Sequence, residues 1–332
     1  MHPRQAVCAA VVLMTAACDP LFPVCEGLVI DACRKAEELS HYVGVQLGDV
    51  TTVGNPTPGQ AGAMGATGRM SIGLRSNVIQ SDNPQFGRAP VRADGSIGST
   101  MYSGARSTMA AFTGDAVVGA FRGWRIDNTR VGAVDLLGSA TIIAGRDGGS
   151  LKASSGGFGI ALGARLGLLA ETASLPAVSL TAISRSLPEF TVTGQPMPTT
   201  ANGQTVVITL RYLNVIAAGT RLDVSKQLGR VSLSAGYGQD HYAIDSDYEV
   251  SAMNPELGGG MNTTSSSMTR RSIVVGASVP LGTATASAEL GRLFGGESSG
   301  MMNQFGDRPV NAARNYITLG VRIPAGRTHD RN

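Results

Sequence analysis

From Arg69 to Ile323 the chain repeats one pattern: short runs with an apolar residue at every second position, separated by polar breaks. The run after Gly156 shows it most fully. Phe158, Ile160, Leu162, Ala164, Leu166 and Leu168 share one face, and Gly159, Ala161, Gly163, Arg165 and Gly167 the other. A period of two held over about eleven residues is the length of a tilted strand crossing a bilayer. A break at Glu171–Ser174 leads into a return arm with Val178, Leu180 and Ala182 opposite Ser179, Thr181 and Arg185. The two arms read as a hairpin.

The hairpin recurs. Met70, Ile72 and Leu74 alternate with Ser71, Gly73 and Arg75, and the same holds for Ala116 to Ala120 and Val134 to Ile142. Val206 to Val224 reads as one long strand, bulged near Ala217–Gly219, with Val231 to Tyr237 as its partner. Ile273 to Val279, Ala284 to Leu290 and Ile317 to Ile323 complete the series. The sum is about ten strands, in a range of roughly 8 to 14. Long polar connections fall at Gln80–Arg106, Arg146–Ser155, Pro188–Gly203, Asp245–Ser267 and Gly295–Ala313. Short ones fall between them, at Arg125–Arg130, Glu171–Ser174, Leu228–Gly229 and Pro280–Gly282. Long outer loops alternating with tight periplasmic turns predict an all-β fold, an antiparallel transmembrane β-barrel, with Trp124 in an aromatic girdle.

Composition narrows the reading. The 44 glycines and the low charged fraction (15%) among 332 residues do not suit a helical enzyme. No run of eighteen or more apolar residues is present for a membrane-spanning helix. A membrane protein without one must close a barrel, because every backbone N–H and C=O has to be paired inside lipid. Mean hydropathy near zero (+0.07) fits strands with one polar face. A net charge of +3 with no basic run gives no support for nucleic acid as a partner.

Arg4, the apolar run Ala6–Ala17 and the small residues Thr15-Ala16-Ala17 predict an export signal over residues 1–17, cleaved before Cys18. Cys18 as a lipidated residue is the competing reading. In an oxidising periplasm Cys25 and Cys33 close a small loop as a disulfide, provided the helix that follows starts near Asp31 or later. Residues 18–68 form an N-terminal periplasmic or plug segment. Within it Ala32, Ala36, Leu39, Val43 and Leu47 mark a short helix over 31–47, opposite Arg34, Lys35, Glu37 and Glu38. That helix is either a periplasmic cap on the rim or a plug in the lumen. Val53–Gly68, rich in Gly and Pro, reads as an extended linker that lets the helix fold back. The barrel covers 69–323, and 324–332 is a polar tail.

If the apolar faces meet lipid, the charged residues within strands line the lumen: Arg75, Asp115, Asp135, Arg165, Arg185, Arg211, Arg221, Asp223, Glu289 and Arg322. An arginine turned to lipid at the midplane would cost about 2–4 kcal/mol. These residues either form structural salt bridges in a filled lumen or line a pore with anion preference. Arg165 and Arg185 lie about 20 Å apart in height if the turn centres on Thr172. Each then needs its own carboxylate from Asp115, Asp135, Asp223 or Glu289. Leu162→Arg should impair assembly, whereas Gly163→Ser should be mild. No Gly-x-Ser-x-Gly or HExxH motif is present. Asp240-His241 is the one candidate for a hydrolase, but sequence neighbours on a strand point to opposite faces. The residues indicate no cofactor, no metal and no enzyme.

This organisation resembles the bacterial outer-membrane β-barrel superfamily over Arg69–Ile323. The N-terminal helix, the segment through Gly54-Asn55 and the glycine-rich strand Gly157–Arg165 are similar to the long-chain fatty-acid transporter type. The chain departs from many such barrels in ending its last strand on Ile323-Pro324 rather than on an aromatic residue. The resemblance implies location in the outer membrane, with the lipid bilayer, lipopolysaccharide and the barrel-assembly machinery as partners. It also implies a passive channel or transport protein for small or hydrophobic solutes. The alternatives are a structural or adhesive surface barrel and an outer-membrane hydrolase.

Overall fold

The computed structural model describes residues 30–85, 90–92, 94–98, 104–144, 151–153, 158–194, 196–200, 205–252, 259–299 and 309–325. The expected signal, Cys18, Cys25 and the polar tail beyond 325 lie outside the described residues. A helix, α1 (Ile30–Thr52), precedes β1 (Met70–Pro84), β2 (Gly104–Phe121), β3 (Trp124–Ile126), β4 (Thr129–Val131), β5 (Ala133–Ile143), β6 (Leu151–Ala153) and β7 (Phe158–Leu169). Then follow β8 (Ala177–Gly194), β9 (Met197–Pro198), β10 (Thr205–Leu228), β11 (Val231–Ala252), β12 (Gly259–Leu281), β13 (Ala284–Ser299) and β14 (Arg314–Ala325).

Ten of these strands close a ring. The antiparallel order runs β1, β2, β5, β7, β8, β10, β11, β12, β13, β14, and β14 pairs with β1. The short β6 and β9 add to the edges of β8 and β10, and β3–β4 is a separate small hairpin. Ring closure removes the free edges that hydrocarbon does not tolerate. Tight turns gather at one end: Leu228 pairs with Val231 and Leu281 with Ala284, each across two residues that begin with a positive-φ glycine. Trp124 packs edge-on against Phe121 at this same end, at 5.0 Å between ring centroids. In outer-membrane barrels the tight-turn end faces the periplasm.

The outward face carries an apolar belt. Leu74 and Leu162 are 72% and 71% exposed, values that only lipid contact makes affordable. Above this belt the strands do not stop. The stretches expected as loops at Asp245–Ser267 and Pro188–Gly203 are largely paired strand, continuing β11 into β12 and extending β8 toward β10. Here the two faces exchange character. On β11, Tyr242, Ile244, Tyr248 and Val250 point inward and are buried, while Asp245 and His241 point to solvent. Beyond the membrane the outer face meets water and the inner face meets α1, so the sense of the alternation inverts.

The bulge in β10 lies at Arg211–Asn214, not near Ala217. Tyr212 adopts a left-handed conformation there (φ 53). The extra residue shifts the inward set from odd positions below the bulge to even positions above it.

The plugged lumen as candidate functional site

The helix is longer than expected, and it occupies the lumen rather than the rim. It packs against β10, β11, β12, β1 and β2. Ala36, Leu39, Val43, Leu47 and Val50 join the inward residues of the wall in one hydrophobic cluster. Because wall surrounds the helix, most of its polar residues are buried too, and several pair across to other parts of the chain. Lys35 Nζ donates to Asp31 Oδ2 (2.7 Å) and to the Pro90 carbonyl (2.8 Å). The His41 ring pairs with Ser266 Oγ at 2.6 Å, and Gln46 Oε1 accepts from the Asp82 N–H at 2.9 Å.

The direction of α1 follows from these contacts. Its first turn meets the outer connection: Asp31 accepts the N–H groups of Arg92 and Gly98, each at 2.9 Å. Ser266, the partner of His41, pairs across the ladder with Ile244, thirteen positions along β11 from the turn at Val231. At about 3.3 Å per residue and a strand tilt near 40° that is roughly 33 Å of height, beyond an apolar belt of about 25 Å. After Thr52 the chain continues down the axis. Val53 O accepts from Arg75 (2.8 Å), Asn55 N–H donates to Glu289 (3.0 Å), Ala61 N–H to Ser225 (2.9 Å) and Met64 N–H to Asp135 (3.1 Å). Gly68 and Gly119 then bond at the tight-turn end, where β1 starts. Val53–Gly68 is therefore an irregular axial segment of the plug and not a fold-back linker. Residues 30–68 traverse the lumen, with the first turn of α1 at the outer mouth and Gly68 at the tight-turn end.

The wall charges are arranged around this plug. Arg75 pairs with Asp115 at 2.7 Å and Arg165 with Asp135 at 2.6 Å, all four side chains almost fully buried. Arg221 lies in the field of Asp223, Asp240 and Glu289. Asp223 accepts from Asn55 Nδ2 at 3.1 Å. Arg322 reaches Gln60 at the tight-turn end. Arg211 does not face the lumen: the bulge turns it outward, 48% exposed, to Glu249 above the belt. Arg185 pairs with Asp240 (3.6 Å), a carboxylate outside the expected set. Arg165 stands opposite Thr181, so Arg185 is four residues higher, about 13 Å along the strand rather than 20. The turn centres between Ala173 and Ser174, since Leu169 pairs with Val178.

Sequence reasoning missed the most buried ionic group. Asp49 of α1 receives Arg314 at 3.0 Å, Arg270 at 3.3 Å and the Tyr242 hydroxyl at 3.2 Å. Period-two extension inward from Ser272 would have flagged Arg270; Arg314 sits where β14 enters a connection read as irregular. Higher up, burial pushes the Glu38 carboxyl to about 7, against the pull of Arg34, and pushes His41 down to about 4. Asp240 and His241 do not form a dyad. Asp240 points into the lumen, and His241 points outward to Thr269 Oγ1 at 3.0 Å. Cys33 is buried in the first turn of α1. Among the described residues no three His, Cys, Asp or Glu side chains are grouped to hold a metal ion.

Closed ring, apolar outward belt, filled interior and asymmetric ends define an antiparallel transmembrane β-barrel. The chain is similar to several solved structures. The translocator domain of the autotransporter NalP from Neisseria meningitidis aligns over 88% of this chain and 99% of its own, at 13% identity and TM-score 0.45. The Ralstonia pickettii toluene transporter TbuX aligns over 78% and 89%, at 12% identity and TM-score 0.23. A Pseudomonas aeruginosa FadL homologue aligns over 77% and 90%, at 9% identity and TM-score 0.21. No protein-family model matches the chain, and neither does any curated protein.

Proposed function

We propose that this is a transport barrel of the translocator type: its lumen carries a polypeptide, its own N-terminal segment, and presents what precedes α1 at the cell surface. The observation behind this reading is the course of the plug, from Asp31 at the outer mouth to Gly68 at the periplasmic end. A periplasmic cap would have left the N-terminus on the other side. The lumen is packed around it, with cavities of only about 10 Å³ beside Arg75 and Arg185. The ion pairs then act as the structural filling of a closed barrel. A Cys25–Cys33 disulfide would lock the segment ahead of the helix.

Passage of small or hydrophobic solutes is the second reading. It is supported by the polar wall that would line a passage if the plug withdrew. The two readings separate in one experiment. A flexible Gly/Ser segment inserted between Pro23 and Val24 should appear on intact cells and be removed by added protease, and the purified protein should stay closed in a planar bilayer. An insert that remains protected, together with a standing conductance, would replace the translocator reading by the solute one.

A further inference from the structure

Resting on that reading, we infer that the lower lumen is a polypeptide-binding track that recognises backbone, and that its ligand class is a non-helical, turn-containing chain of small residues. Wall carboxylates accept amide hydrogens. Glu289 takes the N–H of Asn55 at 3.0 Å and of Gly59 at 3.1 Å through its two oxygens. Asp135 takes the Met64 N–H on both of its oxygens, each at 3.1 Å. Wall donors take the carbonyls: Arg75 bonds Val53 O, and Ser232 and Ser278 bond Gly59 O at 3.2 and 3.3 Å. Any residue except proline offers an amide hydrogen, and every residue offers a carbonyl. The grip therefore places little demand on side chains.

The segment fits such a grip. Pro56 and Pro58 fall between the amides that are captured, so no partner is lost, and their fixed φ restricts the chain's conformations in advance. Closeness, not chemistry, sets the sequence requirement. A Cβ on Gly54 would lie 2.7 Å from Arg75 Nη1, and one on Gly59 would lie 2.8 Å from the Ala277 backbone; both have positive φ. Three side chains do bond the wall, those of Asn55, Thr57 and Gln60. On this account they adjust the fit, whereas the amides decide it. The track would accept an unrelated small-residue sequence that keeps glycine at 54 and 59, where the wall is close, and at 65 and 68, where φ is also positive.

Hydrogen exchange with mass spectrometry on the full-length protein in detergent reads those amides directly. Wild type should protect the peptide spanning 54–64. Glu289→Gln should speed exchange at Asn55 and Gly59 by roughly ten- to a hundredfold, the effect of weakening charge-assisted bonds. Thr57→Ala with Gln60→Ala, or a permuted order of residues 60–67 that keeps Gly65 in place for its positive φ, should stay within about threefold of wild type, well below that loss. Ser225→Ala, which removes only the acceptor of Ala61, serves if Glu289→Gln does not assemble. Loss of protection on permutation, or no response to either wall variant, overturns the inference. Surface display of the N-terminus does not enter this readout, so its failure would be recognised separately.

Discussion

Asp49→Ala should release the plug. The Asp49 carboxylate faces Arg270 and Arg314, with side-chain exposures of 0%, 0% and 3% for the three residues. Without it two guanidinium groups are confined with no counter-charge from the helix. Removing one partner of a buried ion pair costs about 3–5 kcal/mol. The cost falls on the docked state alone, because once α1 leaves, both arginines reach water in the lumen. At about 1.4 kcal/mol per decade the docked-to-released ratio drops by roughly two to three and a half powers of ten. Single-channel recording in a planar bilayer detects this as opening events that are rare in the wild type. Asp49→Asn, which keeps an acceptor oxygen, should fall between. Adding Arg270→Met and Arg314→Met to Asp49→Ala should restore closure, since a buried ion cluster replaced by apolar volume is commonly neutral or stabilising. A closed Asp49→Ala barrel that still migrates faster unboiled than boiled would refute the reasoning.

Gly44→Val should also open the barrel, because a Cβ there meets Ile244 Cγ2 at 2.4 Å; overpacking of about 1–3 kcal/mol is expected, and Ile244→Ala in the same chain should relieve it in the same recordings. Leu162→Arg should lower the yield of assembled barrel, by about 2–4 kcal/mol if it lies near the midplane, while Arg211→Leu, outside the lumen, should leave assembly within about 0.5 kcal/mol of wild type on a heat-modifiability gel. The pH response of plug release has two opposed contributions. Glu38, raised from 4.5 to about 7, favours docking fully below 4.5 and loses that share as pH rises to 7; His41, lowered from 6.5 to about 4, favours docking above 6.5 and loses it as pH falls to 4. Glu38→Gln should thus leave docking that strengthens from pH 4 to 6.5, and His41→Gln docking that weakens from pH 4.5 to 7; slopes of equal sign in the two variants would refute this.

The barrel was legible because lipid enforces a strict period of two: Phe158 to Leu168 could be placed on one face from spacing alone. The plug was not. Ala32, Ala36 and Leu39 mark one apolar face of a helix, but a helix enclosed by wall buries Lys35, His41 and Asp49 as well, and spacing does not register that enclosure. Val53–Gly59 carries no period because the wall buries it from every side. Above the membrane the pattern persists with its sense reversed, so Tyr242 and Ile244 read as the edge of a loop when they are core. One bulge at Arg211–Asn214 misplaced Arg211, since a single extra residue exchanges the faces. Gly163→Ser, expected to be mild, should instead displace the neighbouring strand: a Cβ there would lie 2.5 Å from the Ala182 carbonyl oxygen. Close backbone approach leaves no trace in alternation.

The central claim is that the chain threads its own barrel with the amino end of α1 outward. Antibody access on intact cells tests it most directly, using one epitope inserted ahead of α1, after Gly27, and another in the β10–β11 turn at Gly229. The account predicts that the first epitope is stained on intact cells and the second only after permeabilisation. Staining of the Gly229 epitope on intact cells, or of neither until the membrane is broken, would contradict it.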